Sequence, residues 1–184
     1  MQWNNHYRLE GTHAFLGASK PYWLNYDPDK LVQSYNSYMA AEIGTRKHAL
    51  AKELIELKVN LPRTKQTLNM YVNDAIGYNM KPEQVLFYSE NSYGTADTIC
   101  FDEKSGLLRI HDLKTGTTPV HIEQVRIYAA LFCLEYHFRP GEIKMELRIY
   151  QNDDIQKDTP GADIILPIMD KIIQYDKILQ NIKK

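Results

Sequence analysis

Apolar and polar positions follow several distinct rhythms along this chain. From Asp29 to about Lys58 the rhythm is helical. Leu31, Tyr35, Tyr38 and Ala41 recur at three- and four-residue steps, and Ile43, Leu50, Leu54 and Leu57 continue the stripe. Gly44 and Thr45 mark a break or a close packing point within it. Lys65 to Asn79 reads as a second helix, closed by Gly77 and Pro82. The period then shortens to two. Val85 to Glu90, Gly94 to Asp102 and Leu107 to Leu113 read as strands, with Ile99 and Phe101 on one face and "EKSG" as a tight turn, so the three predict an antiparallel meander. A helix follows from His121 to about His137, turning Val125, Tyr128, Ala129 and Phe132 inward. Glu142 to Gln151 alternates as a fourth strand. Asp163 to about Lys183 closes the chain as an amphipathic helix striped by Ile164, Ile168, Ile172, Tyr175 and Leu179. The first 28 residues are irregular, with "GASKPYWLNYDP" as a turn or short helix anchored by Trp23. This order predicts an α/β or α+β arrangement, a central sheet covered by helices.

Length and composition narrow the picture. A chain of 184 residues suits one domain with a substantial core, so 1–184 is expected to be a single domain. The formal net charge of -1 means that any nucleic-acid contact must come from local basic residues. Arg46, Lys47, Lys52, Arg63, Lys65 and Arg126 are candidates for such a track. Cys100 and Cys133 offer neither CxxC spacing nor a disulfide framework, which points to a reducing compartment. Two thiols also fall short of the four ligands of an iron–sulfur cluster. "MQWNNHYRLEGTHAF" has no charged leader followed by an apolar run, and no stretch is long enough to span a bilayer. A cytoplasmic protein without a membrane partner is the expectation.

The informative residues are the polar ones in apolar surroundings. In "IHDLKTG", Asp112 and Lys114 sit two apart, so a strand puts both on one face. They form either a simple ion pair or half of a catalytic site. Asp97 lies on the preceding strand, and the hairpin brings it near. Two carboxylates on adjacent strands repel unless a cation sits between them. Lys114 partly neutralises the pair, and a hard divalent ion does so better. Lys114 is then available to hold a water or to stabilise charge on a phosphoryl oxygen. His48 on the long helix, four residues after Gly44, is either an ordinary core-edge histidine or a third ligand. Gln124 and Tyr128 share a helix face at i and i+4, either as packing residues or as a polar pair orienting the site. Glu90, at the end of the first strand, is a candidate for a further acidic group beside the site.

Taken in order, "IGTRKH", "YGTAD", "IHDLKTG" and "QVRIY" resemble the PD-(D/E)XK nuclease superfamily, in its RecB-like and lambda-exonuclease-like branch. The resemblance covers roughly residues 41–128. It implies a restriction-endonuclease-like α/β core, a central mixed sheet of an antiparallel meander plus a further strand, flanked by helices. It also implies that His48, Asp97 and Asp112, with the backbone carbonyl of Leu113, bind one or two Mg²⁺ or Mn²⁺ ions. Lys114 matches the catalytic lysine. Gln124 and Tyr128 match the motif that supports the site and the substrate backbone. "GASKPYWLN" is similar to the N-terminal segment of phage-type members, making Ser19, Lys20 and Arg46 candidates for a terminal phosphate. No ATPase motif of the GxxxxGK[ST] type accompanies the set, so a stand-alone nuclease domain of phage or mobile-element size is implied. The implied activity is exonucleolytic processing of DNA ends for recombination or repair. A single-strand annealing or recombination protein is the implied partner, and a toroidal homo-oligomer would hold the DNA. An endonuclease of restriction or defence type shares the chemistry. A non-catalytic DNA- or protein-binding module shares the fold, but ordinarily loses a ligand or the lysine.

Overall fold

The computed structural model describes residues 5–9 and 11–182. Residues 1–4, which entered the reading of the leader, and Lys183, the expected end of the last helix, lie outside them. The chain divides into two compact units, residues 1–43 and 44–184, and the division falls within the first helix, α1 (Pro28–Glu56).

In the N-terminal unit a short 3-10 helix at Pro21–Asn25 precedes α1. Asp27 caps α1 by accepting the backbone N–H of Lys30 at 2.7 Å, and Pro28 takes the first position, where no N–H is needed. Phe15 packs on Tyr35 and Tyr38 at centroid distances of 5.2 and 5.4 Å.

The larger unit is a five-stranded mixed sheet flanked by helices, the α/β class that the pattern predicts. Its strands are β1 (Lys81–Ser89), β2 (Ser92–Asp102), β3 (Leu107–Leu113), β4 (Lys144–Gln151) and β5 (Asp154–Asp158), in the order β1-β2-β3-β4-β5. The first three pair antiparallel, β4 runs parallel to β3, and β5 returns antiparallel. A parallel neighbour requires a crossover. Helix α3 (Glu123–Tyr136) supplies it and packs Val125, Ala129, Ala130 and Cys133 on one face of the sheet, against Leu86, Leu108, Ile110 and Leu147. Helix α4 (Ala162–Ile182) lies beside α3. On the other face, α2 (Thr67–Gly77) packs Tyr71, Val72 and Ala75 with Ala51 and Ile55 of α1 against Leu113 and Tyr150. Among the described residues no helix is long and apolar enough to cross a membrane.

Several boundaries differ from the periodic reading. Strand β1 starts at Lys81 rather than Val85 and includes Pro82, which does not close a helix there. Because β1 is an edge strand, the missing N–H of Pro82 is tolerated. Strand β5 is too short and polar to carry an apolar alternation. It follows a two-residue turn in which Asn152 and Asp153 both have positive φ, at 51° and 59°, the backbone of a type I′ hairpin. Gly44 does not break α1. The buried seam of α1 in this unit is Gly44, Ala51 and Ile55, while Leu50 is exposed. In α4 the buried positions are Ile165 and Asp176, whereas Ile164, Tyr175 and Leu179 of the expected stripe are exposed. Asp176 is satisfied by the Ser89 hydroxyl at 2.7 Å and the Asn91 amide at 2.8 Å.

Candidate metal centre

Strand register sets three carboxylates in one row. Along β1–β2, Pro82 pairs with Thr98 and Gln84 with Ala96, so Glu83 stands opposite Asp97. Along β2–β3 the last pair is Thr98 with His111, so one further step sets Asp97 opposite Asp112. The ladder stops there, and the Leu113 N–H donates instead to Asp97 Oδ2 at 2.8 Å. Glu83 itself has a φ of 52° inside a strand, a left-handed backbone that non-glycine residues rarely adopt. That strain sits at the row and nowhere else in β1. His48 reaches the row from α1, with Nδ1 3.5 Å from Asp97 Oδ2. Ligand atoms of His48, Glu83 and Asp97 all lie within 4.8 Å of one another.

Asp112 is 1% exposed and is held by Lys114. The ammonium donates to Oδ1 at 3.1 Å and lies 2.8 Å from Oδ2, which accepts no hydrogen bond of good angle. Lys114 also donates to Gln124 Oε1 at 2.8 Å, and Gln124 Nε2 donates to the Tyr128 hydroxyl at 3.3 Å. The chain Asp112–Lys114–Gln124–Tyr128 therefore runs from the end of β3 into the first turns of α3. It fixes the amide with its oxygen toward the lysine. Lys114 keeps 28% of its side chain exposed, so a ligand can reach it.

Two glycines permit these approaches. A Cβ on Gly44 would lie 2.7 Å from Thr115 Oγ1, so this glycine lets α1 press against the loop after Lys114, one turn before His48. A Cβ on Gly94 would lie 2.9 Å from Tyr128 Cε1, so the ring of Tyr128 occupies the space that a side chain on β2 would fill.

The charges are not balanced. Three carboxylates, Glu83, Asp97 and Asp112, face one ammonium, Lys114. Burial, and then the charge of Asp112, raise the pKa of Asp97 to about 6, against the lowering effects of the Leu113 N–H, His48 and Lys114. Burial also raises the pKa of Asp112, with Lys114 opposing it. Tyr71 of α2, buried on the other side of the row, has its hydroxyl pushed well above the usual range by burial and then by Asp97. Clustered oxygens, one imidazole and a surplus of negative charge fit a hard divalent ion.

Of the residues expected at a site, His48, Asp97, Asp112, Lys114, Gln124 and Tyr128 converge here. Leu113 takes part through its backbone N–H, and its side chain is buried in the core. Glu90 does not join them. It lies in the turn after β1, seven residues from Glu83, roughly 20 Å along an extended strand. The acid on β1 that does face Asp97 is Glu83. Counting back from the hairpin turn would have found it, but Pro82 masks its strand character. Arg46 is exposed on α1, two residues before His48 and so on a different face. Ser19 and Lys20 belong to the N-terminal unit and line a cavity there. Arg126 is engaged by Asp158 at 2.7 Å.

No protein-family model matches the chain, and no curated protein does. Among solved structures, the crystal structure of SSO0001 is similar at 14% identity, over 83% of this chain and 68% of that one, with a TM-score of 0.34. A likeness this low carries no argument about fold or function.

Proposed function

We propose that this chain is a metal-dependent DNA nuclease of the PD-(D/E)XK type. The observation that carries the reading is the joined pair of clusters at the end of β3. One is the row of Glu83, Asp97 and Asp112 with His48, and the other is the Lys114–Gln124–Tyr128 chain that enters it. An ordinary structural ion pair needs neither the surplus charge nor the strained Glu83.

His48, Glu83, Asp97 and Asp112 would hold Mg²⁺ or Mn²⁺. When bound, the ion supplies Lewis-acid polarisation of a phosphoryl oxygen and acidifies a water. Asp112 holds the Lys114 ammonium in place, and Gln124 Oε1 also accepts from it. That pre-organised charge stabilises the negative charge that develops on the phosphate as the water oxygen bonds to phosphorus and the P–O bond of the chain breaks. The Leu113 N–H fixes the Asp97 carboxylate, leaving its second oxygen for the ion. A cavity of about 530 Å³ adjoins Lys114, and Lys47, Gln66, Asn152 and Asp153 help to line it. It offers the substrate strand a place beside the lysine.

The reading extends to exonuclease action on DNA ends for recombination or repair, in the cytoplasm, or in the host cytoplasm for a phage-encoded chain. The decisive experiment digests 5′- and 3′-labelled linear DNA beside nicked and closed circles, with Mg²⁺ or Mn²⁺. Ordered shortening of linear DNA supports the exonuclease, and cutting of closed circles supports the restriction-type endonuclease. Full activity in Asp112→Ala or Lys114→Ala protein removes the proposal. Poor Mn²⁺ binding in a calorimetric titration favours a non-catalytic module on the same fold. Solution mass measurements, alone and with a single-strand annealing protein, test the oligomer and the partner.

A further inference from the structure

The N-terminal unit contains a cavity of about 670 Å³ that the proposed cleavage chemistry does not use. Its volume lies in the range of small-ligand sites. Tyr22, Trp23, Tyr26 and Tyr38 form aromatic walls, and Lys20 and Lys30 stand among them. Among the described residues no carboxylate lines it. In a chain with 23 acidic and 22 basic residues, a cavity whose described lining holds two lysines and no acid leans positive.

The walls are held in place. The Trp23 indole N–H donates to the Gly17 carbonyl at 3.1 Å, which fixes the ring. Tyr38 is packed by Phe15 and stacks with Tyr35 at 6.3 Å. Tyr22 is 72% exposed, with its ring available to a partner. Among the described residues neither Lys20 nor Lys30 has an ion pair, and the neighbouring Asp27 is engaged as the helix cap. Aromatic faces, two of them fixed, beside two lysines without an ion pair among the described residues match one ligand chemistry well: a flat aromatic base carrying a phosphate.

We propose that this cavity binds unpaired nucleotides, a base stacking on the aromatic walls and its phosphate pairing with Lys20 and Lys30. Stacking of this kind tolerates any base, because every base has a π-face. A duplex offers it little, since its bases are already stacked on one another. The site therefore gives this protein a preference for single strands. It requires no metal and stands apart from the cleavage reading.

The test uses the full chain in chelator, where nothing is cut. Trp3→Phe leaves Trp23 as the only tryptophan, and its fluorescence reports occupancy. An oligothymidylate, an oligouridylate, an abasic oligomer of equal charge and a duplex are titrated in parallel. The oligothymidylate is expected to quench Trp23 saturably, at least about tenfold tighter than the abasic oligomer or the duplex. Tyr22→Ala, at a position 72% exposed, is expected to weaken binding roughly fivefold or more. Lys20→Ala and Lys30→Ala should each flatten the salt dependence by about 0.7 in log–log slope. Comparable binding of the oligouridylate supports a base-and-phosphate site indifferent to the sugar. Equal affinity for the abasic oligomer, or no loss in a Tyr22→Ala, Tyr38→Ala protein, overturns the proposal. Absence of cleavage in the metal assays leaves it standing, whereas absence of quenching in a protein that cleaves DNA overturns it alone.

Discussion

The larger unit carries two polar clusters, and they differ in one respect. Beneath α2, Arg148 donates to Asp74 at 2.8 Å and to the Tyr78 hydroxyl at 3.0 Å, and pairs with Glu146 at 2.8 Å. Arg109 meets Glu146 at 3.3 Å, and the Tyr150 hydroxyl donates to Asp74 at 2.6 Å. Two cations face two carboxylates, and the Tyr78 ring lies under both guanidinium groups. Even His111 is kept neutral there. Burial, Arg148 and Arg109 push its pKa down to about 3. At the end of β3, three carboxylates meet one lysine. The first network is balanced in charge, although His111 Nε2 and Arg148 Nε within it lack a hydrogen-bond partner among the described residues. The unbalanced one at an accessible strand end is the feature on which the proposed cation site rests.

The sharpest way to break this comparison is to disable each cluster in turn. On the proposed nuclease reading, Lys114→Ala is expected to lower the cleavage rate about a thousandfold per folded molecule, since it would remove a pre-organised charge beside the substrate phosphate. Gel assays with matched folded protein measure it. A loss proportional to the unfolded fraction would instead make Lys114 a structural ion pair.

Arg148→Met should do the reverse. It leaves Asp74 and Glu146 without their main cation, and costs about 3 kcal/mol or more of stability. Urea denaturation measures the loss, and activity per folded molecule should be unchanged.

Asp97→Asn probes the imbalance through pH. The folded protein holds the Asp97 proton more tightly than the unfolded chain, because its pKa is raised from 3.8 to about 6. The associated stability is full below about pH 4 and is lost as pH rises through 6. Above that, the ionised carboxylate is a cost. Asparagine removes the charge and retains an acceptor for the Leu113 N–H. In chelator at pH 8 the variant should be more stable than the parent by about 1–3 kcal/mol, and the gain should vanish at pH 4. Melting curves across this range check the sign. Mn²⁺ should raise the melting temperature of the parent and much less that of the variant.

Glu83→Gln has the smallest expected effect, a loss of roughly tenfold in Mn²⁺ affinity by calorimetry. An unchanged affinity would assign the strained backbone of Glu83 to the hairpin alone.

The chemistry-bearing residues were legible because they break the local rhythm. Asp112 and Lys114 interrupt an apolar strand, and Gln124 and Tyr128 lie at helical spacing just after it. Gly44 was legible as a close packing point, though not its partner Thr115, and Gly94 gave no sign of Tyr128, since the partner in a close approach lies on another element. Glu83 was hidden because an edge strand can carry a proline near its start, as β1 does at Pro82. Its place opposite Asp97 depends on a register carried across a skipped pair. Glu90 looked better by sequence proximity to the strand end, yet the antiparallel hairpin carries that end away from the site.

Local sequence therefore determined the elements of the larger unit, apart from the short polar β5, and the residue types at the end of β3. Side-chain period and turn chemistry act within a few residues of chain. The tertiary structure alone decided which carboxylates share a row, which faces of α1 and α4 are buried, and which polar cluster is balanced. Register, helix approach and net local charge are sums over strands and helices far apart in the chain, and no short window of sequence contains them.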